Sequence, residues 1–262
     1  MANASDVENK IQTDLHETDM TTEQTSHLKD FGPCEERTIV LIGRTRTGKS
    51  TMAEVLANTL YKPKELSIYS ETRTATTKDF FTTDKRTNKS YRFTIIDTPG
   101  FFDITREKNT RLKNHTIIEQ IQFCLGNNIR HVHLFGIVFN LVNGINERDI
   151  ETMIYIKNQF RGIEDYTALV VTSCEHMTEH ERTKLTQEFF QHRTVKKHGL
   201  DKFFRQGVLY MGCLRHESIE SINEKAIYFE YNNILDMRTA FIEKCIQSTS
   251  TYSFSDYVCS IM

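Results

Sequence analysis

The sequence predicts an α/β fold, namely a doubly wound, mostly parallel sheet with helices on both faces. Apolar runs rich in β-branched and aromatic residues alternate with helix-length amphipathic stretches, an order typical of parallel sheets covered on both sides. The polar motifs of the chain also follow these runs directly, and ligands of doubly wound folds bind at those strand ends. The expected strands are 38–42, 91–96, 132–139, 168–171 and 208–211, and the expected helices are 51–60, 106–124, 147–161, 178–192 and 223–247.

Charge is distributed unevenly along the chain. Residues 1–36 hold nine acids against two lysines, a net charge of −7, and because the whole chain carries −2 the remainder carries +5. The acidic segment is poor in apolar residues, so it cannot bury enough surface to offset its ordering entropy. We expect a disordered acidic tail over 1–36, one globular domain over 37–215, and a C-terminal helix with a short polar tail over 216–262.

Composition excludes several classes of protein. The six cysteines form no CxxC pair, which argues against a zinc cluster or a disulfide framework and favours a reducing cytoplasm. No run approaches eighteen apolar residues. Basic clusters such as Lys85-Arg86 and Lys196-Lys197 lack interleaved aromatic residues, so we expect solvated faces and no nucleic-acid partner.

A complete phosphate-binding loop follows the first expected strand. Its two glycines let the backbone curl so that successive N–H groups and a helix N-terminus face the phosphates. In this pattern Lys49 reaches the β- and γ-phosphates and the hydroxyl of Ser50 binds Mg²⁺. The sequence therefore predicts a nucleoside triphosphate site. Its residues are Gly43, Arg44, Thr45, Arg46, Thr47, Gly48, Lys49, Ser50 and Thr51.

A second motif, Asp-Thr-Pro-Gly over 97–100, follows the expected strand 91–96. The carboxylate of Asp97 is expected to hold the Mg²⁺ water shell from the side opposite Ser50, and the N–H of Gly100 is placed to sense the γ-phosphate. Together the two motifs mark the regulatory GTPases. Such proteins close a mobile threonine-bearing loop on Mg²⁺ and the γ-phosphate, and the threonine-rich segment 71–78 is the candidate for this loop, with a plain polar surface loop as the alternative.

The order of these motifs resembles that of the avirulence-induced, immune-associated nucleotide-binding GTPases, the GIMAP family, relatives of septins and of chloroplast import receptors. The resemblance covers 37–215 and rests on motif order rather than overall identity. It is carried by four blocks, 42–51, 76–78, 95–101 and 133–160, the last of which contains Asn143-Gly144-Ile145-Asn146-Glu147-Arg148-Asp149.

The resemblance implies a P-loop GTPase domain that binds GTP or GDP with Mg²⁺. Aligning the family's Ser-Val-Thr-Lys on 75–78 makes Thr77 the switch threonine, with Thr76 as the alternative. The implied metal ligands are then Ser50, Thr77 and Asp97, and Lys49 and Thr77 are the implied catalytic residues. Family members often pair through the nucleotide face, so self-association is also expected.

Base recognition is implied after the fourth expected strand. GTPases recognise the base with the sequence Asn/Thr-Lys-x-Asp. At the corresponding place this chain has Thr-Ser-Cys-Glu over 172–175. Thr172 and Glu175 are thus the implied contacts, with the Glu175 carboxylate accepting from guanine N1–H and the exocyclic amine. No lysine stacks on the base, and an alignment shifted by one residue would put His176 in the carboxylate's place. The last nucleotide loop of the family falls at Gly212 and Cys213.

Two further positions depart from common GTPase patterns. Arg46 stands where the family usually has glycine, and its guanidinium either points outward, the orientation that we favour, or stabilises charge near the γ-phosphate. Phe101 and Phe102 stand where a water-orienting glutamine would follow Gly100, so intrinsic hydrolysis is expected to be slow. Core packing under the switch is the alternative role of both rings.

These observations predict a GTP-binding switch or scaffold with slow GTP hydrolysis that association stimulates. A non-hydrolysing nucleotide-gated scaffold is the alternative, and an ATPase is the weaker one. The chain ends in Cys259-Ser260-Ile261-Met262, which fits a prenylation motif and would give reversible membrane contact. A plain polar tail that happens to hold Cys259 is the other interpretation.

Overall fold

The computed structural model describes residues 34–63, 74–101, 119, 131–140, 144–160, 162–220 and 223–253, and the structural statements below concern these residues. Six strands form one sheet in the order β2-β3-β1-β5-β6-β7, and two short strands, β4 and β8, pair separately. The strands are β1 Glu35–Gly43, β2 Thr76–Asp84, β3 Lys89–Asp97, β4 His131–Val132, β5 Leu134–Asn140, β6 Thr167–Thr172, β7 Val208–Tyr210 and β8 Tyr252–Ser253.

Every neighbouring pair in the six-stranded sheet is parallel except β2 with β3, which is antiparallel. The central strand β1 is buried from Arg37 to Gly43, as expected of a strand covered on both faces. The helices are α1 Lys49–Ala57, α2 Glu147–Gln159, α3 Glu179–Gln191, α4 Arg193–Lys197, α5 His216–Glu220 and α6 Glu224–Gln247.

Helices cover both faces of the sheet. On one face Arg238 of α6 lies over the ring of Phe80, which stacks on Phe93 of β3 with ring centroids 4.9 Å apart. The strand register places Phe139 of β5 on the opposite face, where it contacts Phe189 of α3 at 5.3 Å between centroids. The predicted doubly wound α/β fold is therefore confirmed.

The edge strand β2 differs from the sequence prediction, which had a loop over its first residues. Its register with β3 runs from Thr76 opposite Asp97 to Asp84 opposite Lys89. Only Phe80 of its nine residues is buried, so the strand lacks the apolar run by which the other strands were found. Hydrogen bonding to one neighbour holds it at the edge, where polar side chains are tolerated.

Strand β1 begins at Glu35, two residues before the expected start of the globular domain at 37. The carboxylate of Glu35 accepts from Arg37 at 3.0 Å and from Lys89 at 2.9 Å, so basic neighbours compensate its charge in the sheet. Residues 1–33 lie outside the described residues. The same holds for the predicted helix over 106–124 except Glu119, which is helical.

The predicted C-terminal helix is present as α6 and packs on the domain. Arg37 of β1 donates from Nε to the carbonyl of Cys245 at 3.1 Å, and Arg238 donates from Nε to the carbonyl of Leu56 at the end of α1 at 2.9 Å. Beyond α6 the chain returns to pair β8 with β4, which precedes β5. None of the described helices is both long enough and apolar enough to span a membrane.

Candidate functional site

The phosphate-binding loop joins β1 to α1 at the carboxyl end of the sheet. A side chain at Gly43 would collide with the carbonyl of Val138 in β5, so only glycine fits there. Gly48 caps α1 with φ of 86° and supplies no side-chain cap, while Thr51 lies in the first turn of the helix. The N–H groups at this helix start therefore face the loop without a capping side chain, as an anion site requires.

The loop is braced from within by its own carbonyls. Lys49, only 6% exposed, donates from Nζ to the carbonyl of Arg44 at 2.8 Å and to that of Gly43 at 3.2 Å. Thr47 donates its hydroxyl to the same Arg44 carbonyl at 2.9 Å. The Lys49 side chain is thus folded back over the backbone of the loop.

Arg46 adopts a left-handed backbone conformation with φ of 67°. This conformation is costly for a residue with a side chain, which explains why glycine is usual at this position. The residue is exposed, in agreement with the outward orientation favoured from the sequence.

The predicted metal ligands Ser50 and Asp97 meet between α1 and β3. The Ser50 hydroxyl donates to Asp97 Oδ2 at 2.5 Å, and Asp97 is only 5% exposed. A hydroxyl and a carboxylate beside a phosphate site are the oxygen ligands that Mg²⁺ uses together with phosphate and water. These residues therefore fit Mg²⁺, with Ser50 as a direct ligand and Asp97 toward its water shell.

The sheet register separates the two candidate switch threonines. Thr76 lies opposite Asp97 and so projects from the same face of the sheet, whereas Thr77 lies opposite Ile96 and projects from the other face. The structure thus does not bring Thr77 together with Ser50. Thr76, the alternative from the sequence, is on the same face of the sheet as Asp97.

The Gly100 segment is packed directly on the phosphate-binding loop. A side chain at Gly100 would collide with the backbone of Thr45, and the next residue, Phe101, donates its N–H to the Gly43 carbonyl at 3.1 Å. Thr45 in turn donates its N–H to the Phe101 carbonyl at 3.4 Å. The motif predicted to sense the γ-phosphate is therefore adjacent to the loop that would bind it.

Helix α2 contacts this arrangement at two points that sequence reasoning did not assign. Asp149, 8% exposed, accepts from Arg44 at 2.9 Å, and burial raises the pKa of Asp149 while the Arg44 hydrogen bond opposes the rise. The fully buried Phe101 meets Tyr155 edge to face at 5.8 Å between centroids. The Phe101 ring is thus a core residue in this structure, whereas Phe102 lies outside the described residues. In the sequence, the one feature that pointed to Asp149 was its position in the block 133–160 of the family resemblance.

The predicted base-reading residues follow β6 and β7. Thr172 donates its hydroxyl to the carbonyl of Thr47 at 2.7 Å, which ties this loop to the phosphate-binding loop. Ser173 then turns with φ of 61°, and Glu175 follows with 3% exposure. His176 is exposed, with Nδ1 3.9 Å from Glu175 Oε1. The carboxylate is therefore held inward and the imidazole lies outside it.

Glu175 and Gly212 are in close contact. A side chain at Gly212 would come within 2.6 Å of Glu175 Oε2, so glycine makes room for the carboxylate. Oε2 is buried without a hydrogen-bond donor from the described part of the chain. Burial raises the pKa of Glu175, and the Glu230 charge adds to the rise. A hydrogen bond from the backbone N–H of Glu175 itself is the largest effect that lowers this pKa, followed by the smaller effects of His176 and Arg215.

Cys213 follows Gly212 and is a half-buried thiol. Burial, with a further contribution from the Glu175 charge, raises the pKa of Cys213 to about 12. The thiol therefore stays protonated, and any contact of this loop with a base would come from the backbone, as the resemblance implies.

Comparisons with known proteins identify the family. A sequence profile of the AIG1 family matches residues 37–206, roughly two-thirds of the chain. The chain belongs to the AIG1 family. No curated protein sequence matches it. Among solved structures it is similar to Toc33 from Arabidopsis thaliana, crystallised as a dimerization-deficient mutant, with 18% identity over 88% of this chain and 92% of that chain and a TM-score of 0.49.

The AIG1 match covers the phosphate-binding loop, the Asp97 motif and the Glu175 loop, and it ends before Gly212 and α6. The family resemblance stated from the motifs is thereby confirmed. The domain of this AIG1 protein is a GTP-binding GTPase domain. The roles of its individual residues remain predictions.

Proposed function

We propose that this chain binds GTP and GDP with Mg²⁺ and hydrolyses GTP slowly to GDP and phosphate, as a nucleotide-dependent switch or scaffold. The observation that carries guanine binding is the buried Glu175 carboxylate. Its Oε2 lacks a hydrogen-bond donor within the described ranges, and an unpaired buried acceptor is costly. Guanine N1–H and its exocyclic amine are the donors that such a carboxylate accepts from.

The position of the carboxylate supports the same proposal. Thr172 bonds to Thr47 in the phosphate-binding loop, so the loop that carries Glu175 starts beside the phosphate site. A nucleotide with its phosphates over Lys49 would direct its base along this loop. Adenine presents an acceptor at N1 where guanine presents a donor, so an ionised Glu175 opposes the ATPase alternative.

The test is a competition titration in which GTP, GDP, ATP and xanthosine diphosphate displace a fluorescent guanine nucleotide from the Mg²⁺-saturated full-length protein. We expect GTP and GDP, but not ATP, to compete. Glu175→Gln should lose about tenfold or more in GDP affinity and gain affinity for the xanthine nucleotide, because the amide donates to the xanthine 2-carbonyl. Lys49→Ala should abolish tight binding of all of them.

His176→Gln is the matched control, since it changes the exposed neighbour of Glu175. Equal competition by ATP, or a switch toward xanthine in His176→Gln instead of Glu175→Gln, would reject Glu175 as the base reader.

Slow, association-stimulated hydrolysis is the second part of the proposal. Phe101 occupies the place of a water-orienting side chain and is packed against Tyr155, so a single protomer lacks that group at this position. Turnover per molecule is expected to rise with protein concentration, because a second copy at the nucleotide face would complete the site. Phosphate release measured from nanomolar to tens of micromolar protein tests this. A flat profile excludes catalysis across a dimer, and no release at all favours the non-hydrolysing scaffold.

For location we propose a cytoplasmic protein with reversible membrane contact through Cys259. The last described residue, Ser253, pairs with His131 before the start of β5, at the end of the sheet away from the nucleotide site. A lipid attached shortly after it would leave the nucleotide face accessible. Flotation of the farnesylated protein with liposomes, compared with Cys259→Ser, tests this, and equal flotation of both proteins would exclude it.

A further inference from the structure

The C-terminal helix α6 reaches the base-reading loop, although it lies outside the AIG1 match. Asn233 donates from Nδ2 to the carbonyl of Glu175 at 2.9 Å and to that of Met177 at 3.2 Å. One side-chain amide thus holds the backbone on both sides of His176. The path of this loop is fixed from a helix more than fifty residues further along the chain.

A charged contact from the same side of α6 reaches the Glu175 side chain. Glu230 precedes Asn233 by about one helical turn, is 1% exposed, and accepts from Arg215 Nε at 2.8 Å and from Ser218 at 2.6 Å. Arg215 Nε also lies 4.0 Å from Glu175 Oε1. Glu230 therefore holds the positive charge of Arg215 next to the Glu175 carboxylate.

These contacts support a base-reading loop whose own sequence does little to fix its conformation. Ser173 is in a strained left-handed conformation, and the lysine that GTPases commonly place in this sequence is absent. A buried carboxylate recognises a base only if its backbone is held in one position and its charge is balanced. Asn233 meets the first requirement, and Arg215 contributes to the second, whereas the charge of Glu230 acts against it.

We propose that α6 is part of the guanine-recognition site and that Asn233 is a positioning residue, which sets base selectivity by fixing the loop that carries Glu175. This inference rests on the proposed role of Glu175 as guanine reader. The competing explanation is that Asn233 only docks α6 on the domain, and the two explanations differ in what they predict for selectivity.

The experiment measures the affinities of GDP, inosine diphosphate and ADP for the protein. Inosine lacks the exocyclic amine, so the ratio of the GDP and inosine diphosphate affinities reports the contact with Glu175. In Asn233→Ala we expect the preference for GDP to fall about fivefold to tenfold. Inosine diphosphate should lose less affinity than GDP, because it keeps the N1–H contact with Glu175 but has no exocyclic amine to lose. The control Asn232→Ala removes the exposed neighbouring amide and should leave both affinities unchanged. Asn233→Asp keeps the shape without the donor and should reproduce the loss, which covers the case that the alanine variant does not fold.

If both Asn233 variants keep the wild-type preference for GDP, this inference is overturned. The assignment of Glu175 as the guanine reader would then still hold. An equal loss of both nucleotides, accompanied by a lower melting temperature, would also overturn it, because α6 would then be only a structural support. Equal wild-type affinities for GDP, inosine diphosphate and ADP would reject Glu175 as the reader, and the inference with it.

Discussion

The Thr172 hydroxyl donates to the Thr47 carbonyl at 2.7 Å and thereby joins the base-reading loop to the phosphate-binding loop. Thr172→Val keeps the shape of the side chain and removes the donor, which leaves a buried carbonyl without this partner. We expect the free energy of unfolding to fall by about 1–2 kcal/mol and GDP affinity to fall about fivefold. Urea unfolding and nucleotide titration measure the two effects.

Thr167→Val is the matched control for that variant. Thr167 stands at the opposite end of β6, is fully buried, and donates its hydroxyl to the Ile163 carbonyl at 2.6 Å. This variant should lose similar stability and keep GDP affinity. If both valine variants change GDP affinity equally, the hydrogen bond of Thr172 has no specific role in the site.

Gly212→Ala should damage the Glu175 loop by steric conflict. The added methyl group would lie 2.6 Å from Glu175 Oε2 and 2.8 Å from its backbone nitrogen, so the loop must move. We expect a loss of about 1–3 kcal/mol in the free energy of unfolding and a reduced preference for GDP over ADP. Gly136→Ala is the control, since its methyl group would crowd Val170 and Leu41 at 3.1 and 3.2 Å within the core. If Gly212→Ala and Gly136→Ala show the same preference for GDP over ADP, the contact between Gly212 and Glu175 has no specific effect on base selectivity.

Arg44 and Asp149 form a largely buried ion pair, with side-chain exposures of 22% and 10%. Because little water screens them, a double-mutant cycle with alanine at both positions should give a coupling of about 1–3 kcal/mol in the free energy of unfolding. The same cycle on Arg205 and Asp165, whose side chains are 58% and 65% exposed, should give no measurable coupling. Equal coupling in the two cycles would show that burial does not strengthen the Arg44 pair.

Local motifs explain why much of the site was predictable from the sequence. The phosphate-binding loop and the Asp97 motif are short sequences whose spacing alone defines their geometry, and the structure brings the Ser50 hydroxyl to the Asp97 carboxylate. Asp149 and Asn233 could not be found in this way, because their role depends on partners brought close by the fold. The sequence could not decide between Thr76 and Thr77 for a related reason, since the decision depends on a strand register that the polar sequence of β2 does not reveal.

The register of β2 makes a prediction for Mg²⁺ binding. Thr76 shares a face of the sheet with Asp97, so Thr76→Val should weaken GTP binding about tenfold in Mg²⁺ and little in excess chelator. Thr77→Val alters the opposite face and serves as the control. A loss confined to Thr77→Val would mean that β2 releases its first residues from β3 when nucleotide binds, so that the family alignment and not the present register describes the bound state.

Stability should depend on pH through His133, a buried imidazole after β4. Its Nδ1 accepts the Thr38 N–H at 3.0 Å, and burial, with smaller effects of Arg37 and His131, lowers its pKa from 6.5 to about 4. A lowered pKa means that the unfolded chain binds the proton more tightly. The contribution of neutral His133 to the free energy of unfolding is therefore complete above pH 6.5, and it is lost as the pH falls toward 4. The loss is on the order of 3 kcal/mol.

His133→Asn tests this origin of the pH dependence, because its side-chain oxygen can still accept from Thr38 and does not titrate. The free energy of unfolding of the wild type should fall more steeply than that of His133→Asn between about pH 7 and pH 5. His131→Asn changes the exposed neighbour and should keep the wild-type slope. Carboxylates titrate mainly below this window, so parallel slopes for the wild type and His133→Asn would show that His133 is not buried as a neutral group.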